Sequence, residues 1–231
     1  MRSLVFVTTL LGIASALLDQ YKLSEAAIQI VAASSQTSQA ALTPCIDQSW
    51  NACQYSFNKA VGIDETLGYR TGSAFFNATN SLLDGSLQNI LNVCKARTQF
   101  YQCLGTSYYT CMNLFNILQK PGEAYQDAFD YSRTFLGLEY TCTAGFETVT
   151  TDYGCFVNIR NTLGYRNCLT GFNELLPPDQ LCPNVKTVSQ CIYGAYFAGC
   201  GGLDKGAGFY GCENFRTTFD QTCYGLRCDV N

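Results

Sequence analysis

Residues 94–111 read CKARTQFYQCLGTSYYTC, and residues 182–200 read CPNVKTVSQCIYGAYFAGC. The cysteines fall nine and then eight positions apart in the first stretch, nine and nine in the second, at an offset of 88 residues. Gln102-Cys103-Leu104 recurs as Gln190-Cys191-Ile192, and Tyr108 and Tyr196 each stand five positions past the middle cysteine. Around these stretches apolar residues repeat at helical spacing: Leu83, Leu87, Ile90, Leu91 and Cys94, then Tyr108, Cys111, Met112, Phe115 and Leu118. Sustained alternation with a period of two is hard to find, and the β-branched stretch 148–153 reads as a loop or helix end. The expectation is an all-α fold, a disulfide-rich helical bundle with candidate repeat units at 94–176 and 182–228. The plain alternative to a repeat is two amphipathic helices whose inward positions happen to be cysteine.

Working outward, Pro121-Gly122 closes one segment, the run Ala124, Ala128, Tyr131, Phe135, Leu138 and Cys142 marks the next helix, and Pro177-Pro178 separates two later ones. At the start, Met1 and Arg2 precede an apolar run over 4–13, and Ala14-Ser15-Ala16 offers a small-x-small cleavage site. Residues 1–16 read as a secretory signal peptide, with a mature chain beginning near Leu17. Residues 17–43, rich in Ala, Ser and Gln and free of cysteine, read as a flexible or helical leader, with Leu23, Ala27, Ile30 and Val31 as a narrow stripe. Residues 44–231 form the disulfide-braced helical domain. No stretch reaches the roughly 20 apolar residues of a membrane span.

All 14 cysteines lie beyond the signal: Cys45, Cys53, Cys94, Cys103, Cys111, Cys142, Cys155, Cys168, Cys182, Cys191, Cys200, Cys212, Cys223 and Cys228. An even count in an exported chain predicts seven disulfides. Spacing does not say which cysteine joins which, since fourteen admit more than about a hundred thousand complete pairings by the counting of. No zinc or redox spacing is present, because the tightest pair is Cys223 and Cys228 and no C-x-x-C occurs. No metal or other cofactor is expected. A mature chain of this size buries roughly 70% of its unfolded surface unaided, so the bridges add to a core and do not replace one.

The rhythm of cysteines eight to thirteen positions apart in helical segments, and the phrase running from Cys94 through Lys95, Arg97, Phe100, Tyr101 and Gln102 to Cys103 and Leu104, resembles the secreted cysteine-rich proteins of nematodes called domain of unknown function nineteen. The resemblance spans roughly 45–228, with the difference that no tryptophan stands in the C-terminal part. It implies an extracellular location and no assigned activity, and it offers no catalytic residues to carry over.

The chain contains no histidine. That removes the usual general base near neutral pH, the Ser-His and Cys-His nucleophile pairs and the commonest zinc ligand. Carboxylate chemistry survives, and Glu139, Glu147 and Asp152 sit among Tyr140, Phe146 and Tyr153, so a two-carboxylate glycosidase is the best enzyme candidate. Against it, acidic residues at such spacings are usually the wet face of a helix. Fifteen Phe and fifteen Tyr suit a carrier of small apolar ligands or simply a core; Tyr108, Tyr109, Tyr193, Tyr196, Phe197, Phe209 and Tyr210 lie beside cysteines, where packing on a disulfide accounts for them. Without Arg2 the chain holds 13 basic and 18 acidic residues, the basic ones scattered singly, so nucleic acid is excluded as a partner. Asn77-Ala78-Thr79 is an N-glycan acceptor, expected on a loop or helix end. The expectation is a secreted, non-catalytic module whose partner is an extracellular protein or a small apolar ligand.

Overall fold

The computed structural model describes residues 17–19, 21, 23, 27, 44–173, 180–203 and 205–229. The signal peptide and Pro177-Pro178 lie outside them. The helices are α1 (Asp47–Val61), α2 (Gly72–Gly85), α3 (Leu87–Leu104), α4 (Tyr108–Cys111), α5 (Leu114–Leu118), α6 (Tyr125–Thr141), α7 (Phe146–Ile159), α8 (Leu163–Asn173), α9 (Leu181–Gly199) and α10 (Lys205–Thr217), and no strand occurs among the described residues. The fold is all-α and disulfide-rich, as the apolar spacing predicts. The stretch 148–153 is a correction: it lies inside α7. Val149 and Phe156 are fully buried on that helix, and the Thr150 hydroxyl bonds back to the Phe146 carbonyl at 2.9 Å, so packing on one face outweighs the β-branched propensity.

All fourteen cysteines are joined, with none free. The bridges are Cys45–Cys111, Cys53–Cys103, Cys94–Cys142, Cys155–Cys200, Cys168–Cys191, Cys182–Cys223 and Cys212–Cys228, with Cα–Cα distances from 5.1 to 6.0 Å, the ordinary range for a bridge. Numbered in order, the six cysteines of 45–142 pair first with fifth, second with fourth and third with sixth. Cys212 set aside, the other six from Cys155 to Cys223 pair in the same way. The chain thus contains two units of one cross-linking plan, and no bridge passes between them. This corrects the division at 94–176 and 182–228. Cys45 and Cys53 belong to the first unit because their partners, Cys111 and Cys103, lie in the first cysteine triplet, and Cys155 and Cys168 belong to the second for the matching reason. Cys212–Cys228 is an addition to the second unit.

The correspondence extends to packing. In the first unit α1 lies against α3, and in the second α8 lies against α9, each pair stapled by the second–fourth bridge. Helix α6 packs on α2, α3 and α5, then meets α10 of the second unit. The core of the first unit is aromatic: Phe100 stacks on Phe135 at 4.6 Å and Phe75 on Phe135 at 5.5 Å, all fully buried. In the second unit Phe156 stacks on Tyr210 at 4.7 Å, edge-on to Tyr196 at 5.1 Å.

Between the units lies a seam held without covalent help. Across it the Thr141 and Tyr210 hydroxyls pair at 3.0 Å, Asn214 donates to Thr141 at 3.1 Å, and Gln221 accepts from the Leu114 amide at 2.8 Å. The described leader residues occupy the same seam. Leu17, Leu18, Asp19, Tyr21, Leu23 and Ala27 are all buried, Ala27 in helical conformation, and the rest of the 17–43 leader lies outside the described residues. Asn80 of α2 exchanges two hydrogen bonds of 2.9 Å with the Leu18 backbone. The Tyr21 ring sits among Phe129, Phe172, Phe215 and Phe219 and beneath the Arg133 guanidinium at 4.5 Å.

Asp19 is the seam's ionic centre, 3% exposed. One carboxylate oxygen accepts from the Tyr165 hydroxyl and lies 3.6 Å from Arg160, while its backbone carbonyl accepts from Arg133 at 3.1 Å. Arg160 donates in turn to the Tyr196 hydroxyl at 2.6 Å, and Arg133 pairs with Asp130 at 2.7 Å. Burial raises the Asp19 pKa above the ordinary carboxylate value, outweighing Arg160, Tyr165 and Arg133, which act to lower it.

Candidate functional site

Among the described residues, a groove of about 280 Å3 lies between α1 and the turn 62–71. Helix α1 contributes Asn51, Gln54 and Tyr55, spaced so that they share one face, and the turn contributes Glu65 to Thr71. The helix stops at Gly62, whose φ of 78° is the left-handed conformation that glycine adopts without a Cβ penalty. Chain reversal there brings the turn back over the helix.

A hydrogen-bond relay ties this turn to the core. Trp50 donates its indole N–H to the Tyr131 hydroxyl at 2.8 Å, and Tyr131 donates to Gln54 Oε1 at 2.5 Å. Gln54 donates to Asn58 Oδ1 at 2.7 Å, and Asn58, fully buried, donates to the carbonyls of Asp64 at 3.0 Å and Leu67 at 2.7 Å. Buried amides with both ends satisfied fix a single geometry. Tyr69 adds an anchor by stacking on Trp50 at 4.2 Å. Asp64 accepts from the Thr66 amide at 2.9 Å and hydroxyl at 2.8 Å, and these bonds hold its carboxyl below the usual range. At the far end a Cβ on Gly72 would lie 1.8 Å from the Asp127 carbonyl oxygen, so α2 starts in contact with α6 backbone that no larger residue permits. Ser73 then donates to Asp127 and Asp130 at 2.9 and 2.7 Å.

The groove's floor is therefore rigid and its rim accessible. Tyr55 is 45% exposed, Asn51, Glu65 and Arg70 are exposed, and the Arg70 guanidinium lies 5.4 Å over the Tyr69 ring. Amide, carboxylate and guanidinium around an aromatic ring can bind a polar molecule with an apolar face.

The residues singled out by sequence are placed elsewhere. Glu139 on α6 pairs with Arg97 at 3.3 Å and accepts from the exposed Tyr109 at 3.5 Å. Glu147 is exposed in the first turn of α7, and Asp152 follows five residues later, which at 3.6 residues per turn puts the two on different faces of that helix. The three carboxylates are thus spread over two helices, Glu139 on α6 and the other two on different faces of α7. Tyr108, Tyr196 and Tyr210 are fully buried and packed ring to ring, with burial pushing the Tyr108 and Tyr210 phenols up to about 12. Tyr193 and Phe197 are half-buried and stack at 6.1 Å, the Tyr193 ring lying against Gly208 of α10, and Phe209 is partly exposed. These aromatics fill the core or cover it. Asn77 is exposed but sits within α2, not on a loop or helix end, and Thr79 of the same triplet is buried.

Sequence reading missed the groove because Asn51, Tyr55, Glu65 and Arg70 are unremarkable one by one. The available signal was length: 41 positions separate Cys53 from Cys94, against 14 between the corresponding Cys168 and Cys182. No helix of the described residues is long and apolar enough to cross a membrane, and no group of three or more potential metal ligands occurs among them. Comparison with protein-family models, curated proteins and solved structures found no match to this chain.

Proposed function

We propose that the protein is a secreted, non-catalytic binding module that presents the first unit's surface to another extracellular molecule. The observation that carries this is the cross-linking plan used twice. Six of the seven bridges repeat one pattern around two filled aromatic cores, and such bracing suits oxidising, protease-rich surroundings. On this reading residues 1–16 are removed on export, Asn77 carries a glycan on its exposed side chain, and the chain is of the nematode secreted cysteine-rich type. A binding role fits a rigid groove with a mixed polar and aromatic rim better than a carrier role does, since a carrier keeps its aromatics around a void.

Expression of the full chain in insect cells tests the reading. The expected product is in the medium, begins at Leu17, contains no titratable thiol and carries hexosamine at Asn77. Retention in the cell, or stoichiometric free thiols in material purified without reductant, overturns it. So does turnover of fluorogenic glycosides that Glu139→Gln or Asp152→Asn abolishes.

A further inference from the structure

We infer that the groove between α1 and the 62–71 turn is a binding site for a neutral saccharide of one or two rings. This rests on the reading of the protein as a binding module and names the ligand class of its surface.

The groove is built on an insertion. The two units share their bridges and their stapled helix pairs, yet the first holds 27 more positions between its second and third cysteines. That extra length forms the turn 62–71 and most of α2. The shared parts suffice to close a unit, as the second unit demonstrates. What the insertion adds beyond core packing is the concave surface, and loops held on a rigid scaffold are where binding residues concentrate.

Its chemistry selects among ligands. A pyranose ring has an apolar C–H face and an equatorial belt of hydroxyls that both donate and accept. Tyr55 offers an exposed ring for the face, and Asn51, Glu65 and Arg70 offer an amide, a strong acceptor and a forked donor for the belt. An apolar lipid would leave these groups desolvated without partners. A phosphate or sulfate would meet the Arg70 guanidinium and the Lys59 ammonium, 6.0 Å over the Tyr55 ring, balanced by the carboxylates of Glu65 and Asp64, which leaves no net positive field. A β-strand peptide would need free backbone groups, and Asn58 already occupies the carbonyls of Asp64 and Leu67.

Size and stiffness agree. The volume of about 280 Å3 lies just under the roughly 300–1,000 Å3 of pockets for drug-sized ligands, which is room for one or two rings and not for a long chain. The relay from Trp50 through Tyr131, Gln54 and Asn58 sets the wall before any ligand arrives, so little ordering is needed on binding.

The test is a titration of the oxidised, 15N-labelled full chain with lactose, cellobiose, maltose and N,N′-diacetylchitobiose, with sialyllactose and inorganic phosphate as charged comparators. The expected result is that at least one neutral disaccharide shifts amides within 51–71, with a Kd on the order of 1 mM. Tyr55→Ala weakens that binding about tenfold or more, the span of ~1.4 kcal/mol. Tyr55→Phe retains it, and Arg70→Ala weakens it about threefold. The proposal is overturned if no neutral sugar moves the 51–71 amides at saturating concentration. It is overturned equally if the shifts persist unchanged in Tyr55→Ala, if they gather around Tyr101 and Tyr109 instead, or if only sialyllactose or phosphate binds. Any of these results in a protein that is secreted, glycosylated and thiol-free removes the saccharide and leaves the binding-module reading standing; failure of secretion or oxidation removes that reading on its own.

Discussion

The two units share one pairing plan and differ in what they enclose. The first runs over 45–142, 98 residues with three bridges; the second over 155–223, 69 residues, with the same three bridges and Cys212–Cys228 besides. A smaller unit buries a smaller fraction of its surface and depends more on cross-links. The larger unit uses its extra chain for α2 and the groove, the smaller one receives an extra bridge. Size and bracing trade against each other within a single chain.

Cutting the seam breaks the comparison most severely. Asp19→Ala leaves Arg160 buried without its carboxylate, a loss of about 3–5 kcal/mol for a broken buried pair, and amide exchange should quicken in α6 and α8 together. Quickening confined to one unit would show that the seam is not shared. Replacing Cys212 and Cys228 by Ser comes next. A loop of this length contributes about 3 kcal/mol, and the loss should fall on α9 and α10 while α1 to α3 keep their protection. An equal effect on both units would contradict the idea that this bridge serves the smaller one. Asn58→Ala is milder, about 1–3 kcal/mol for carbonyls left without a donor. Faster exchange over 62–71 is the expected sign, with the second unit untouched.

The smallest effect concerns pH. Burial raises the pKa values of Asp19, Glu123 and Asp220, while Thr66 lowers that of the exposed Asp64. A carboxyl raised in the folded state favours folding while protonated, below its unfolded value, and that contribution fades as pH climbs through the folded value. The contribution of these three groups is therefore larger at about pH 4 than at about pH 7, and that of Asp64, lowered by Thr66, runs the opposite way. Asp19→Asn should flatten that slope while costing less than Asp19→Ala, because the amide keeps a partner for Tyr165. A urea titration series in which the slope survives Asp19→Asn unchanged would assign it to Glu123 and Asp220 alone.

Helical periodicity made most of the fold legible. It failed at 148–153, where three threonines and a valine argue for a loop or helix end and only the burial of Val149 and Phe156 decides otherwise. The repeat was half visible. Matching triplets marked α3 and α9, but the unit boundary depended on which cysteines face each other, a three-dimensional fact. Asp19 and Tyr21 carried no sign of burial, since a lone carboxylate and a lone tyrosine in an Ala- and Ser-rich stretch point to solvent until Arg160 and the phenylalanines of α6, α8 and α10 are seen around them. The groove left its trace in segment length, not in residue type.

That the bridges never leave their own half bears on biosynthesis. On the proposed secretory route, a chain entering an oxidising lumen from its N-terminal end would expose all six partners of the first half before Cys155 emerges. Oxidation then searches about 15 arrangements for six thiols and 105 for the remaining eight, in place of the vast number open to fourteen at once. On that route, order of emergence would do part of the work of an isomerase.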